Sequence, residues 1–179
     1  MNKTIAIVVG AVILVTMLLI SMTYTVSFHE VGIRTQFGKA SESSVVRDAG
    51  LHFRLPFFAD SVTALDTRLQ ILETPLENHQ TADDQQIVVK AFLLWRVSSD
   101  GDGPLRFVES FGSIPEAPLH MNADFRDAVS VVSEYTFDQL LGEGSLLNDV
   151  ESRILDRMTS VAELGVEPIT VGFSQIVLP

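Results

Sequence analysis

The sequence has no cysteine and few basic residues. Without a thiol, the chain can form no disulfide, thiolate nucleophile, zinc–thiolate site or palmitoyl anchor. Only 12 Lys and Arg are present against 23 Asp and Glu, so the formal charge is −11 and the pI is near 4.6. Nucleic-acid-binding proteins and polybasic membrane clamps both present clustered Lys and Arg. The composition therefore argues against nucleic acid as a partner and against electrostatic attachment to anionic lipid.

The sequence also lacks the common catalytic and ligand-binding motifs. It contains no G-x-S-x-G motif and no phosphate-binding glycine loop. Asp83 and Asp84 adjoin in a polar turn, with nothing around them that suggests the burial acid–base catalysis requires. The four histidines form no H-E-x-x-H motif and no pair four residues apart; they are His29, His52, His79 and His120. We therefore expect no catalytic residue, no metal ligand and no cofactor.

Two further short segments could suggest a calcium-binding or catalytic site. Residues 100–103, with the sequence Asp-Gly-Asp-Gly, resemble part of a calcium loop but lack its third ligand and the Glu at position twelve. Ser145, between Gly144 and Leu146, fits a helix N-cap better than a nucleophile elbow. Both segments are predicted to be structural, the first as a solvated turn.

One long stretch, Thr4 to Phe28, carries no charged residue. As a helix it would reach roughly 37 Å at about 1.5 Å per residue, enough to cross a hydrocarbon core of about 30 Å with some tilt. The alternatives are a buried core helix and a cleaved secretory signal, but a signal has a shorter apolar region and a small-residue cleavage site. Residues 21–24, Ser-Met-Thr-Tyr, offer no such site. A membrane-spanning helix is therefore predicted.

The flanking charges predict the orientation of this helix. Lys3 and the amino terminus are the only positive charges on its short side, and long segments translocate largely regardless of charge. We expect a single-pass protein of the cell's inner (plasma) membrane, with its N-terminus in the cytoplasm and residues 29–179 on the periplasmic, extracytoplasmic side.

The first part of the remaining chain is rich in strand patterns. Residues 26–39 predict a strand or hairpin, and residues 86–97 predict the strongest strand, with one continuous apolar face. The polar segment from Glu77 to Gln85 predicts a turn. Residues 50–58 contain three phenylalanines, which are expected either in the core or at the membrane interface, with the core favoured.

Helical patterns follow from position 104. A helix is predicted from Leu105 to Phe111, a second from after Pro118 to Glu134, and a short one capped by Thr136. Another begins after Ser145 and stops at Gly165, and residues 169–174 predict a final strand. Strands, then helices, then a returning strand indicate an α+β fold. The expected organisation is a cytoplasmic tip and membrane helix at 1–28, a strand-rich subdomain at 29–98, and a helical subdomain at 99–179.

Over nearly its whole length the sequence resembles the SPFH, or band-7, superfamily of stomatin, prohibitin, flotillin and HflK/HflC, most closely the HflC branch. No single motif is specific, and the likeness depends on their order and spacing. The matching segments are residues 30–39, 50–57, 65–68, 81–84, 88–97, 104–107, 126–141, 164–167 and 177–179.

The resemblance implies an SPFH domain packed against the outer leaflet, in which the apolar residues 51–58 are a candidate for dipping into the bilayer. It also implies assembly with copies of itself and HflK-like SPFH subunits around an FtsH-type AAA protease, without catalytic machinery of its own. Members of the family continue into a charged coiled coil, and no heptad run occurs before Pro179. The expectation is therefore a truncated form or a short relative that lacks the coiled coil.

Three functions follow as hypotheses. The first is a non-enzymatic membrane scaffold that regulates a membrane protease as HflC-like proteins do. The second is a stomatin-like organiser of membrane microdomains without a protease partner. The third is a membrane-tethered hydrolase, which the absence of catalytic motifs disfavours.

Overall fold

A computed structural model describes residues 3–36, 44–54 and 60–178. The described chain combines helices with antiparallel sheets, which confirms the α+β class predicted from the sequence. By its internal contacts the chain divides into two compact units, Met1–Asp66 and Thr67–Pro179. The two are referred to as unit 1 and unit 2. The functional division at residues 28 and 98 stays a prediction.

Unit 1 consists of one long helix followed by short antiparallel strands. The strands form two small sheets, one in the order β1-β4 and the other in the order β3-β2-β5. Among its described residues, the buried apolar side chains are Val26, Val31, Ile33 and Leu65. The elements are α1 (Lys3–Ser21), β1 (Thr23–Val26), β2 (Glu30–Gln36), β3 (Val45–Val46), β4 (Gly50–Phe53) and β5 (Asp60–Asp66).

The long helix is shorter than the sequence predicted. Helix α1 ends at Ser21, and the last part of the predicted helix forms strand β1 instead. The β-branched residues of Thr23–Val26 suit a strand, and each of them pairs with a residue of Gly50–Phe53. Pairing with a segment distant in sequence decides where α1 ends, so the uncharged run alone overestimated the helix.

The core placement favoured for residues 50–58 is wrong where the structure tests it. Leu51 is 64% exposed and Phe53 is 70% exposed. Among the described strands β4 pairs with β1 alone, and that two-stranded sheet leaves these side chains uncovered. The rest of the predicted segment, residues 55–58, lies outside the described residues.

Unit 2 is built around one long central strand. Strand β8 (Gln86–Val97) pairs with β6 (Gln70–Glu73) and β7 (Glu77–Gln80) along one edge and with β9 (Val166–Val177) along the other. Its alternate residues are fully buried on one face, as predicted, from Ile87 to Val97. Helix α2 covers this face, where the rings of Trp95 and Phe107 stack 6.0 Å apart.

Two strand predictions in unit 2 need correction. The polar segment expected to be a turn, Glu77–Gln85, begins with strand β7, because its backbone pairs with β8 in register from Glu77 to Gln80. The final strand runs from Val166 to Val177, longer than the predicted 169–174, because β8 offers it a partner over its whole length. In both cases tertiary pairing overrides local composition.

The helices of unit 2 follow the predicted pattern closely. Helix α2 ends before Gly112 as expected and begins two residues earlier than predicted, because Pro104 fits the first turn of a helix. Thr136 caps α4 in a capping box with Gln139. The α-helices are α2 (Gly103–Phe111), α3 (Ala117–Val129), α4 (Phe137–Leu141) and α5 (Leu147–Met158), and 3-10 turns cover Ser130–Glu134 and Thr159–Leu164.

Gly165 ends the last helical segment in the left-handed conformation, with φ of 82°. A β-carbon at this position would lie 2.6 Å from the backbone nitrogen of Phe107 and would also collide with the carbonyl oxygen of Gly103. The Gly165 carbonyl accepts a hydrogen bond from the amide of Ser98 at 2.9 Å. Glycine is therefore required here both for the turn and for the close approach of α2.

Candidate membrane and assembly surfaces

Helix α1 exposes its apolar surface over its whole length. It is 19 residues long and buries none of them. A core helix would bury an apolar stripe, so the described structure argues against that alternative. The hydroxyl of Thr16 donates to the carbonyl of Val12 at 2.8 Å, which satisfies its polar hydrogen inside the helix. Of the described helices, α1 is the one long and apolar enough to cross a membrane.

Strands β1 and β4 form a two-stranded ribbon directly after α1, named here the β1–β4 ribbon. Leu51 and Phe53, two residues apart on β4, lie on one face of the ribbon and are both largely exposed. On the other face the rings of Tyr24 and His52 stack with centroids 5.5 Å apart. The ribbon therefore presents apolar side chains next to the end of the membrane helix.

The face of the unit 2 sheet opposite the helices is half-covered and mixed in character. Phe92 and Leu94 on β8 are partly exposed, and Ile71, which pairs with Leu94, is 56% exposed. Two ion pairs flank these apolar side chains. Lys90 Nζ lies 3.0 Å from Glu73 Oε2, and the guanidinium of Arg96 binds both carboxylate oxygens of Glu167 at 2.8 and 2.9 Å. This surface is named here the outer sheet face.

Both ion pairs neutralise charge on the outer sheet face. The hydrogen bonds that Arg96 donates to Glu167 lower the pKa of the Glu167 carboxyl and raise the pKa of the Arg96 guanidinium. Unit 2 as a whole is strongly acidic, because residues 67–179 carry eighteen Asp and Glu against seven Lys and Arg. Residues 1–66 carry five of each. The formal charge of −11 therefore belongs to unit 2, and the outer sheet face is a neutral area within it.

The four histidines lie in separate parts of the chain. His29 and His120 are exposed, and His52 Nε2 lies 2.6 Å from the carbonyl oxygen of Asp48. His79 on β7 is half-buried, and burial lowers its pKa. Among the described residues no three Asp, Glu or His side chains gather closely enough to hold a metal. The expectation that the chain has no metal, cofactor or catalytic residue stays an expectation.

Asp83 has a structural role that its sequence context did not reveal. Its Oδ1 accepts hydrogen bonds from the Thr81 hydroxyl at 2.6 Å and from the Phe137 amide at 3.0 Å. The amide of Ala82 also donates to the carbonyl of Tyr135 at 2.9 Å. The bond from Thr81, followed by that from Phe137, lowers the pKa of Asp83. The turn after β7 is thereby fixed to the N-terminus of α4, fifty-four residues along the chain.

The other two suspected segments make contacts within the fold, and their lack of a site stays an expectation. Asp102 pairs with Arg106, their side chains meeting at 2.9 Å, and the carbonyl of Asp100 accepts a bond from the amide of Gly103. Ser145 Oγ accepts from the amide of Leu147 at 3.2 Å, at the start of α5. The first contacts build the turn before α2, and the Ser145 bond helps to start α5.

Comparisons with known proteins give one family and a set of similar relatives. A family model described as SPFH domain / Band 7 family matches residues 24–179. The chain is 28% identical to Protein HflC of Haemophilus influenzae, over 83% of this chain and 52% of that protein. It is 27% identical to Protein HflC of Buchnera aphidicola, over 89% of this chain and 57% of that protein.

A third relative carries a functional name. The chain is 23% identical to a protein of Escherichia coli K12 named Modulator of FtsH protease HflC, over 96% of this chain and 64% of that protein. The chain thus spans between about half and two thirds of the length of these curated relatives.

Proposed function

The chain belongs to the SPFH domain / Band 7 family, as the sequence resemblance predicted, and on that premise we propose that it is a non-enzymatic, membrane-anchored scaffold that regulates an FtsH-type membrane protease. The observation that carries the proposal is the family match over residues 24–179, preceded directly by the exposed apolar helix α1. The name of the E. coli relative, a modulator of the FtsH protease, supports the choice of protease.

Helix α1 attaches the protein to the membrane in this proposal. Its 19 residues span about 28 Å at about 1.5 Å per residue, close to the roughly 30 Å hydrocarbon core of a bilayer. Lys3, the first residue of α1, supplies a positive charge at its N-terminal end. The proposed arrangement is a single pass through the inner membrane, with the N-terminus in the cytoplasm and the SPFH domain on the periplasmic side.

Regulation requires assembly, for which the outer sheet face of unit 2 is the proposed surface. Two copies of the acidic unit 2 repel each other unless they meet at a surface where the charge is neutralised. The outer sheet face combines exposed apolar side chains with charges that are already paired within the chain. Attachment to one membrane confines neighbours and raises their effective concentration, so moderate contacts can assemble copies of this chain with HflK-like subunits.

Affinity purification of the chain from native membranes tests this function. After extraction in mild detergent, we expect mass spectrometry to identify an FtsH-type AAA protease and an HflK-like subunit in a particle larger than the monomer. A large particle that consistently lacks the protease would favour a stomatin-like organiser of membrane microdomains. Recovery of a monomer without either partner would contradict the proposal.

A further inference from the structure

A small cavity in unit 2 lies between helices α2 and α3. Its volume is about 290 Å³, at the lower end of the roughly 300–1,000 Å³ that ligand pockets occupy. That size suits one inserted side chain better than a large ligand. The lining residues are Ser110 and Phe111 on α2, His120, Met121 and Asp124 on α3, and Leu164 at the end of the last 3-10 turn.

The walls of this cavity combine aromatic rings with one carboxylate. The ring of Phe111 lies 5.9 Å from the ring of His120, centroid to centroid, and the two planes are tilted by 53°. Phe111 and Met121 are buried, whereas His120 and Asp124 are exposed. Because His120 and Asp124 are four residues apart on α3, their side chains are neighbours on one face of that helix. A ligand in the cavity can therefore contact an aromatic ring and a carboxylate at the same time.

Helix α2 ends at this cavity and adds negative partial charge. The carbonyl end of a helix carries a partial negative charge because its last carbonyls lack partners within the helix. The carbonyl of Phe111 accepts a hydrogen bond from the amide of Ser113 at 2.8 Å, but those of Glu109 and Ser110 accept none from the described residues. The end of α2 therefore favours a cation near Ser110.

Asp124 has no cation of its own among the described residues. Arg106 lies one turn before Ser110 on α2, but its side chain is bound to Asp102 and to the carbonyl of Glu163. Other basic side chains of unit 2 also pair with carboxylates elsewhere, namely Lys90, Arg96, Arg126, Arg153 and Arg157. The cavity is thus a negative site whose counterion must come from outside unit 2.

A guanidinium fits this site better than other cations. It is planar, stacks on aromatic faces and binds a carboxylate through two parallel N–H donors. An ammonium is a compact, strongly hydrated charge that cannot stack in this way. A divalent metal needs several ligands, and among the described residues no three Asp, Glu or His side chains gather to hold one.

We propose that this cavity binds the guanidinium of an arginine side chain presented by a partner protein. The guanidinium stacks on the ring of His120 and donates paired hydrogen bonds to the carboxylate of Asp124, next to the negative end of α2. The acidic charge of unit 2 attracts a basic partner surface over a distance and repels a second copy of unit 2. The inference goes beyond the proposed function, because it holds for any partner that carries the arginine.

An NMR titration of the full chain in an uncharged detergent at pH 8 tests the site. The chain is labelled with ¹³C at its methionine methyl groups, and Met121→Leu identifies the Met121 signal. The probe is N-acetyl-arginine methylamide, and its citrulline analogue has the same shape without the charge. We expect a saturable shift of the Met121 methyl with the arginine probe and about tenfold weaker binding of the citrulline probe, which loses a charge-assisted bond.

Two variants of α3 form a matched pair for this titration. Asp124→Asn should weaken binding of the arginine probe about tenfold. Asp127→Asn removes the same charge from an exposed position that does not line the cavity, so it should keep the wild-type affinity. The methyl signal of Met158, which is buried in unit 2, reports whether a variant has kept its fold. If Asp124→Asn disturbs that signal, His120→Lys decides instead, because a lysine four residues before Asp124 should occupy the carboxylate and block the probe.

Several outcomes would overturn the inference. The absence of a saturable Met121 shift, or equal affinity for the arginine and citrulline probes, would reject a cation site. An equal loss in Asp124→Asn and Asp127→Asn would show that only the overall charge of unit 2 attracts the probe. Equal affinity for N-acetyl-lysine methylamide would reject the guanidinium, and tighter binding of the free diamine putrescine would reject a protein side chain as the source. None of these results bears on whether the chain regulates a protease.

Discussion

At the scale of single residues, two glycines test the close approach of α2 to Gly165 most directly. Gly165 and Gly144 both have positive φ, 82° and 89°, but only Gly165 has backbone atoms where a β-carbon would go. Gly144→Ala should cost about 1–2 kcal/mol for the left-handed conformation. Gly165→Ala should cost more, because the added methyl also meets the backbone of Gly103 and Phe107. Denaturant unfolding of the detergent-solubilised chain, followed by Trp95 fluorescence, measures both. Equal losses would contradict the close approach of α2.

The carboxylate of Asp83 should make the stability of unit 2 depend on pH. Because its hydrogen bonds to Thr81 and Phe137 lower its pKa in the folded state, its contribution is present above the ordinary value of about 3.9. That contribution is lost as the pH falls through the lowered folded pKa. Asp83→Asn should therefore have a lower melting temperature than the wild type at pH 7, and the difference should shrink as the pH falls below about 3.9.

The neighbouring Asp84 offers a control for this titration. Its side chain accepts a hydrogen bond from Gln80 Nε2 at 2.9 Å, and among the described residues it makes no hydrogen bond to α4. At pH 7, Asp84→Asn should lower the melting temperature less than Asp83→Asn does. A difference between Asp83→Asn and the wild type that stays constant from pH 7 to pH 3 would reject the titration of Asp83.

Sequence reasoning at this scale recovered caps but missed long-range roles. Thr136 and Gly165 could be identified because their partners lie within a few residues. The role of Asp83 depends on the Phe137 amide, which nothing near Asp83 in sequence indicates. The hydrogen bond from Arg54 Nε to the Ser21 carbonyl joins residues 33 positions apart and was missed for the same reason.

At the scale of elements, β8 holds the largest share of the unit 2 core. Leu93 is fully buried on its inner face, and Leu94, the next residue, is partly exposed on the outer sheet face. Leu93→Ala should lower the free energy of unfolding by about 2–5 kcal/mol. Leu94→Ala should lower it by about 1 kcal/mol, because less apolar area is lost from burial. Equal losses in denaturant unfolding would contradict the assigned faces.

Elements were predicted correctly where the pattern that defines them is local in the sequence, and misplaced where pairing with a distant segment defines them. The alternation in β8 and the apolar stripes of α3 and α5 are local, and the types of these elements were predicted correctly. The predicted helices to Glu134 and Gly165 end earlier as α-helices, and their last turns are 3-10. Strand β7 has a polar sequence and exists because β8 pairs with it. The end of α1 was misplaced because β1 is defined by β4, which lies more than twenty residues further along the chain.

At the scale of the whole molecule, charge and apolar exposure separate the two units. Unit 1 is neutral overall and carries the exposed α1, whereas unit 2 is acidic and carries the outer sheet face. The family and the membrane helix could be predicted from sequence, because both depend on patterns spread over many residues. The neutral outer sheet face could not be predicted from the sequence, because its ion pairs join residues up to 71 positions apart.

Assembly through the outer sheet face can be tested with a single substitution that introduces a charge there. Ile71→Glu should reduce the size of the detergent-solubilised particle, because it places a carboxylate among apolar side chains that meet a neighbour. Leu119→Glu is the matched control, since Leu119 is 78% exposed on α3, away from this face. Size-exclusion chromatography with light scattering measures both. The same particle size for the two variants would contradict this choice of surface.

Regulation of an FtsH-type protease by a chain without catalysis is the central claim, and reconstituted proteolysis measures it most directly. Proteoliposomes with the purified protease and a membrane substrate are compared with and without this chain. We expect the chain to change the rate of ATP-dependent substrate degradation severalfold and to degrade nothing when the protease is absent. An unchanged rate, or degradation by the chain alone, would contradict the account.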